Sequence, residues 1–337
     1  MPPRLRRILL IAAIAAAVLA AGWIGWWYVA AGRFADAIDG WIAARRAEGY
    51  HVEASRIRVS GFPLRLKTSV ASPEATAPDG SWFWSGPDIA LAAPAWAPLR
   101  IAFTFPGLHS LTLKDKRYEA LTARADGRLD LARDGRIDRL TLDIAEVSAR
   151  EAGRTATTIR SLLLVASEPR GDGAGPMPTA LAFDLAANDI ALPPDRPAPL
   201  GSAIDEIQLA GRLEGPAPTG TDAAALSLWR DAGGAIDLDH ITLSWGPLHL
   251  SGNATFALDP SLRPLAAAST EIEGAPEAIA ALADARLIDP QNAQLAVLGL
   301  AALADGEGKV KLPLTAQDGA LWAGPIRLAD LPPLAGP

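Results

Sequence analysis

The chain has 337 residues, a net charge of −7, 50% hydrophobic residues, 30 glycines, 28 prolines and no cysteine. Zero cysteine excludes disulfides, thiolate metal sites and a thiol nucleophile, and an acidic chain without a basic patch argues against a nucleic-acid groove. Glycine and proline stand above average usage but below the level of a disordered chain, so they read as many turns between short strands.

Arg4, Arg6 and Arg7 precede an uncharged run from Ile8 to Ala31. At about 24 residues it is longer than a signal-peptide core and sufficient to cross ~30 Å of hydrocarbon as a helix. Trp23, Trp26, Trp27 and Tyr28 cluster at its far end. Amphipathic rings favour the membrane interface, and the arginines favour the cytoplasmic side. Residues 1–32 are therefore expected to form a cytoplasmic stub and a single-pass anchor in the inner (cytoplasmic) membrane, with the bulk of the chain periplasmic. The competing reading is a cleaved signal peptide, since Val18-Leu19-Ala20 resembles a small-residue cleavage site. Run length and the aromatic belt favour the uncleaved anchor. Residues 33–50 follow as an amphipathic connecting helix: Phe34, Ile38, Trp41 and Ile42 make one stripe that would pack on the following sheet, and Gly49 is its C-cap.

From residue 51 to 337 the dominant period is two, which predicts an extracytoplasmic, mainly β domain. In RIRVSGFPLRL, residues 56–66, the apolar parity changes around Gly61-Phe62-Pro63. Trp84-Gly86-Pro87, Trp96-Pro98, Trp245-Gly246-Pro247 and Trp322-Gly324-Pro325 repeat the theme of an aromatic residue, a small turn and a proline that opens the next strand. Proline fits there because it cannot donate to a ladder. Alternation recurs at Leu140, Leu142 and Ile144, at Leu181, Phe183 and Leu185, at Ile207, Leu209 and Leu213, and at Val310, Leu312 and Leu314. The cleanest piece places Trp245 opposite Leu248, Leu243 opposite Leu250 and Ile241 opposite Gly252 around a Gly246-Pro247 hairpin turn. Parity changes between Leu238 and Ile241, and between Leu185 and Ile190, predict β-bulges, which bend a sheet. The expected fold is an N-terminal transmembrane helix followed by a large, curved, trough-like antiparallel sheet with a few packed helices. Those helices are expected over Asp222–Arg230, over Ala275–Ile288 and, apolar nearly all round and so buried, over 291–304. Residues 168–178 read as a loop.

An anchor, an amphipathic helix ending in a Gly-Tyr strand start, the GFPLR strand, the Trp82-Phe-Trp84 to Pro87 segment and the C-terminal KLPLTAQDGALWAGPIRLADLPPL resemble the domain-of-unknown-function 2125 family of Gram-negative envelope proteins over nearly the whole chain. These motifs are structural and transfer no site residues. More distantly the anchor-plus-trough plan resembles the AsmA-like superfamily, which implies a role in envelope biogenesis and lipid movement; a fold alone does not fix a function.

No catalytic motif stands out. His51, His109, His240 and His249 lack metal-ligand spacing. Asp237 and Asp239 share a strand face and could do acid–base work, but charged residues on an exposed strand are commoner. Gly171–Gly175 lacks the Lys-Ser/Thr of a phosphate loop. The reading is a non-enzymatic envelope protein without cofactor that binds or conducts lipid along an apolar trough. Leu243, Trp245, Leu248, Leu250, Phe256 and Leu258 are its candidate lipid-facing residues. The alternative is a scaffolding protein with a closed β core and no ligand. The expected partners are the phospholipid membrane, a lipid ligand and other envelope proteins, and no nucleic acid.

Overall fold

The structure, a computed structural model, describes residues 3–53, 57–113, 116–132, 136–168, 179–216, 218, 220, 222–288, 291, 293, 294, 297–299, 309–324 and 326–335. It is mainly β and antiparallel. Two compact units emerge, one of Met1–Tyr118 with Asp126–Arg136, the other of Glu119–Ala125 with Ile137–Pro337.

In the smaller unit, helix α1 runs unbroken over Pro3–Ala47, so the expected anchor and connecting helix are one element. It is long and apolar enough to cross a membrane. It ends where the Gly49 and Tyr50 N–H groups bond back to the Arg46 and Arg45 carbonyls, satisfying carbonyls that a helix end leaves free. One antiparallel ladder joins β1 (His51–Glu53), β3 (Glu74–Thr76), β4 (Trp82–Ser85) and β7 (Gly107–Leu113). The other joins β2 (Arg65–Val70), β5 (Ile89–Pro94), β6 (Arg100–Thr104) and β8 (Lys116–Leu131). The Trp84-Gly86-Pro87 link crosses from one ladder to the other, whereas Trp96-Pro98 joins paired neighbours.

The GFPLR stretch is a tight reversal, not one strand changing phase. Ser60 and Lys67 exchange backbone hydrogen bonds at 2.8 Å, and the Arg65 N–H donates to the Gly61 carbonyl. Gly61 sits at φ +101, where a Cβ would lie 2.7 Å from the Arg65 carbonyl oxygen, so glycine is required there. The reversal receives α1. The Trp23 indole N–H donates to the Pro63 carbonyl, Trp27 to that of Arg65 and Trp26 to that of Ala95. Phe62 meets Trp27 edge to face at 5.5 Å. Trp27, Ala30, Ala31 and Phe34 of the helix are buried with Leu66, Ala93, Ala95 and Ile101 of the sheet. Of the expected stripe, Phe34, Ile38 and Ile42 pack, while Trp41 is 61% exposed.

The larger unit is a meander. Its strands are β9 (Ile137–Glu151), β10 (Thr157–Ser167), β11 (Thr179–Ala191), β12 (Ala203–Glu214), β13 (Ala235–Trp245), β14 (Leu248–Leu258), β15 (Pro264–Glu273), β16 (Val310–Gln317), β17 (Ala320–Ala323) and β18 (Ile326–Asp330), and from β10 on each pairs antiparallel with the one before. The hairpin forms in the expected register. Gly246 has φ +55, and a Cβ there would lie 1.9 Å from the Leu200 carbonyl oxygen. A bulge falls between Leu238 and Ile241, where the parity changes; in consequence His240 does not pair with Asn253. The second parity change involves four strands. Glu146 and Asp189 take φ +53 and +52, and the ladders skip Glu146, Arg160, Asp189 and Asp205 in register. Arg160 binds Asp189 at 3.1 Å within that row.

Two helices lie between paired strands. α2 (Ala223–Asp231) starts where the Asp222 side chain accepts from the Ala225 N–H at 2.9 Å, an N-cap that satisfies a free helix donor. α3 (Ala275–Asp284) is shorter than the expected 275–288. Arg286 turns left-handed at φ +58, its N–H and that of Leu287 bond back to Ala283 and Leu282, and the helix stops, leaving Leu287 54% exposed. Within the expected 291–304 helix the described residues are helical, but Leu298 is 71% exposed, against the expectation of burial. The rest of that helix and nearly all of the 168–178 loop lie outside the described residues.

Candidate functional site

Strand register places apolar side chains in rows that run across the larger unit. One row is Ile144, Leu162, Ala187, Ile207, Leu243, Leu250, Ile272 and Val310. The next is Leu142, Leu164, Leu185, Leu209, Ile241, Gly252, Thr270 and Leu312. Beyond the skipped charged row, Val147, Ile159, Ile190, Ile204, Trp245 and Leu248 continue the set. Because the skip absorbs one residue in each strand, both halves keep their apolar residues on one face.

The opposite face is polar. Arg212 sits between Asp237 at 2.8 Å and Asp239 at 3.0 Å, and Thr255 donates to Asp237. The hydrogen bond to Asp237, then the charge of Asp239, raise the Arg212 guanidinium above its ordinary range. This carboxylate pair shares one cation on the exposed face. His249 meets Ser244 at 3.2 Å and His240 meets Thr242 at 2.9 Å. Among the described residues no three His, Asp or Glu side chains gather as a metal site.

The apolar face differs in burial along its extent. At one end α3 covers it: Ile272, Ala275, Val310, Leu312 and Ala323 are buried, with Leu248, Leu250 and Ile279 against them. At another edge α2 covers it: Trp229, Leu258 and Leu262 are buried, with Leu213, Ile236 and Phe256 against them. Along the row that runs from β13 out to β9, Leu142, Leu164, Leu185, Leu209 and Ile241 are all half-buried, and none joins a buried cluster among the described residues.

The six candidate residues thus divide. Leu243 and Trp245 are half-buried in the middle rows, with the Trp245 indole donating to the Gly201 carbonyl at 2.8 Å. Leu248 and Leu250 border the α3 cluster, Phe256 borders the α2 cluster, and Leu258 is 5% exposed inside it. The uncovered stretch lies on β9–β13. Its β10 members escape the sequence pattern because Leu162, Leu163 and Leu164 form a continuous run in which Leu163 faces the other way, 42% exposed. The alternating neighbours Leu142 and Leu185 were the available signal.

A family model described as an uncharacterized protein conserved in bacteria (DUF2125) matches residues 27–332. The chain belongs to this family. The match starts at Trp27, the indole that anchors α1 to the reversal at Arg65, and reaches past β18, so both units of the DUF2125 chain fall within it. No curated protein and no solved structure matches the chain.

Proposed function

We propose that this DUF2125 protein is a non-enzymatic envelope protein, anchored in the inner membrane by α1 with its β units periplasmic, whose larger unit holds lipid acyl chains along its apolar face. The observation that carries the reading is the half-buried stretch of that face at Leu142, Leu164, Leu185, Leu209 and Ile241, which runs out to β9 beside the clusters that α2 and α3 do bury. Contiguous apolar surface of this kind marks an interaction site on a soluble unit. The anchor-plus-sheet plan resembles AsmA-like envelope proteins, and that analogy of plan supports lipid handling in envelope biogenesis. The test is lipid mass spectrometry on the full-length protein extracted in mild detergent. Stoichiometric phospholipid that resists delipidating washes supports the reading; a protein free of lipid with unchanged stability opposes it.

The two sealed clusters favour a second reading, a scaffold whose uncovered stretch on β9–β13 is covered by another envelope protein. In that case crosslinks from Leu185 reach protein and not lipid.

A further inference from the structure

A second feature lies in the smaller unit, on the sheet face opposite α1. Leu66, Ala93 and Ile101 point toward the helix; their neighbours Arg65, Ala92 and Arg100 point away and line an open cavity of about 460 Å³. Arg128 completes it from β8, where the register places it opposite Ala102, itself opposite Ala92. Small residues thus make the floor and guanidiniums the rim. None of Arg65, Arg100 and Arg128 has a side-chain hydrogen bond or ion pair among the described residues. Trp96, 63% exposed, forms one wall. Asp130, across the ladder from Arg100, has a buried Oδ1 with no hydrogen-bond partner among the described residues.

The position of this cavity is set by the tryptophans. The Arg65 carbonyl accepts from Trp27, and Ala95, next to Trp96, accepts from Trp26. These indoles lie where the exposed apolar stretch of α1 ends. On the anchor reading of α1, these indoles put the cavity at the depth of the membrane interface, where lipid phosphates lie. Phe62, Leu64 and Trp26 are also exposed at this level, as suits a surface that meets the interface.

We propose that this cavity binds a phosphate ester, the headgroup phosphate of a membrane phospholipid. Arginine forks suit phosphate oxygens, and three cations outweigh the single carboxylate. Trp96 lies beside the ester. The site rests on the anchor reading of α1 but not on acyl chains in the larger unit.

The test is calorimetry on the full-length protein in dodecyl maltoside, titrated with dihexanoyl phosphatidylglycerol and separately with glycerol 3-phosphate. The lipid binds saturably, and the triple variant Arg65→Gln, Arg100→Gln, Arg128→Gln binds at least tenfold more weakly, since each lost charge-assisted bond contributes about tenfold. Its circular-dichroism melt stays that of wild type, because all three side chains are exposed. Tighter binding of the lipid than of glycerol 3-phosphate assigns the phosphate to the membrane; equal binding keeps the phosphate site and makes its source soluble. No saturable binding of either probe, or equal affinity in the triple variant, overturns the proposal. A protein that loses co-purified lipid through a change in the larger unit while keeping this calorimetric site separates the two sites.

Discussion

The Trp27 indole N–H donates to the Arg65 backbone carbonyl at 3.1 Å. That bond ties a helix able to cross a membrane to the GFPLR reversal, and Trp27 is only 5% exposed. Trp27→Phe keeps most of the ring and removes the donor, leaving the carbonyl short of a partner at a cost of about 1–3 kcal/mol. Trp27→Ala also opens a cavity and costs about 3–5 kcal/mol. Thermal unfolding of the full-length protein in detergent should rank wild type above Trp27→Phe and Trp27→Ala last. Three equal melting curves would remove the docking role.

The hairpin at Gly246 gives a second prediction. Its φ is +55, and a Cβ would fall 1.9 Å from the Leu200 carbonyl oxygen. Gly246→Val therefore meets both a forbidden backbone conformation and a backbone clash. Its melting temperature should drop by several degrees or the variant should fail to fold; Gly246→Ala should be milder and still destabilising. Wild-type melting of the valine variant would refute the turn geometry.

A pH effect is expected at His109. It stacks on Trp84 at 6.2 Å, meets Phe105 edge-on and places Nε2 3.1 Å from the Phe105 carbonyl. Burial lowers its pKa, against the opposing pull of that carbonyl. Since the folded state holds the proton less tightly than the unfolded state, the stability from neutral His109 is complete above the ordinary value of about 6.5 and is lost as pH falls through the lowered value. His109→Gln should flatten the dependence of melting temperature on pH below about 6.5. Parallel profiles for the variant and wild type would show that His109 does not titrate this way.

Parts of this structure were readable from the residues. Strict alternation around Gly246-Pro247 specified the hairpin register, because a one-residue slip would have moved Trp245, Leu243 and Leu250 to the polar face. The parity change at Leu238 and Ile241 located a bulge for the same reason. The parity change beyond Leu185 was visible in β11, but its continuation through Glu146, Arg160 and Asp205 was not, since one strand does not state which residues lie beside it. The Trp23, Trp26 and Trp27 cluster read as a membrane belt; that these indoles also find carbonyls at Pro63, Ala95 and Arg65 depends on a contact spanning up to 69 positions. Alternation shared Leu258 and Leu243 out to one face, but it could not show that Trp229 closes over the former while the latter stays half-buried.

The most direct test of the lipid-binding account compares two carboxylates placed on that one face. Leu312 is 9% exposed beneath α3, so Leu312→Asp buries an unpaired charge at a cost of several kcal/mol, comparable with the ~5–15 kcal/mol stability of a whole domain, and should not fold. Leu209 is half-buried in the uncovered stretch, so in Leu209→Asp the carboxylate stays hydrated. The measurement is circular-dichroism melting with lipid mass spectrometry on wild type and Leu209→Asp, purified identically. The account predicts a folded Leu209→Asp protein that has lost its phospholipid. A Leu209→Asp protein that unfolds like Leu312→Asp, from a wild type that carries no lipid, would contradict it.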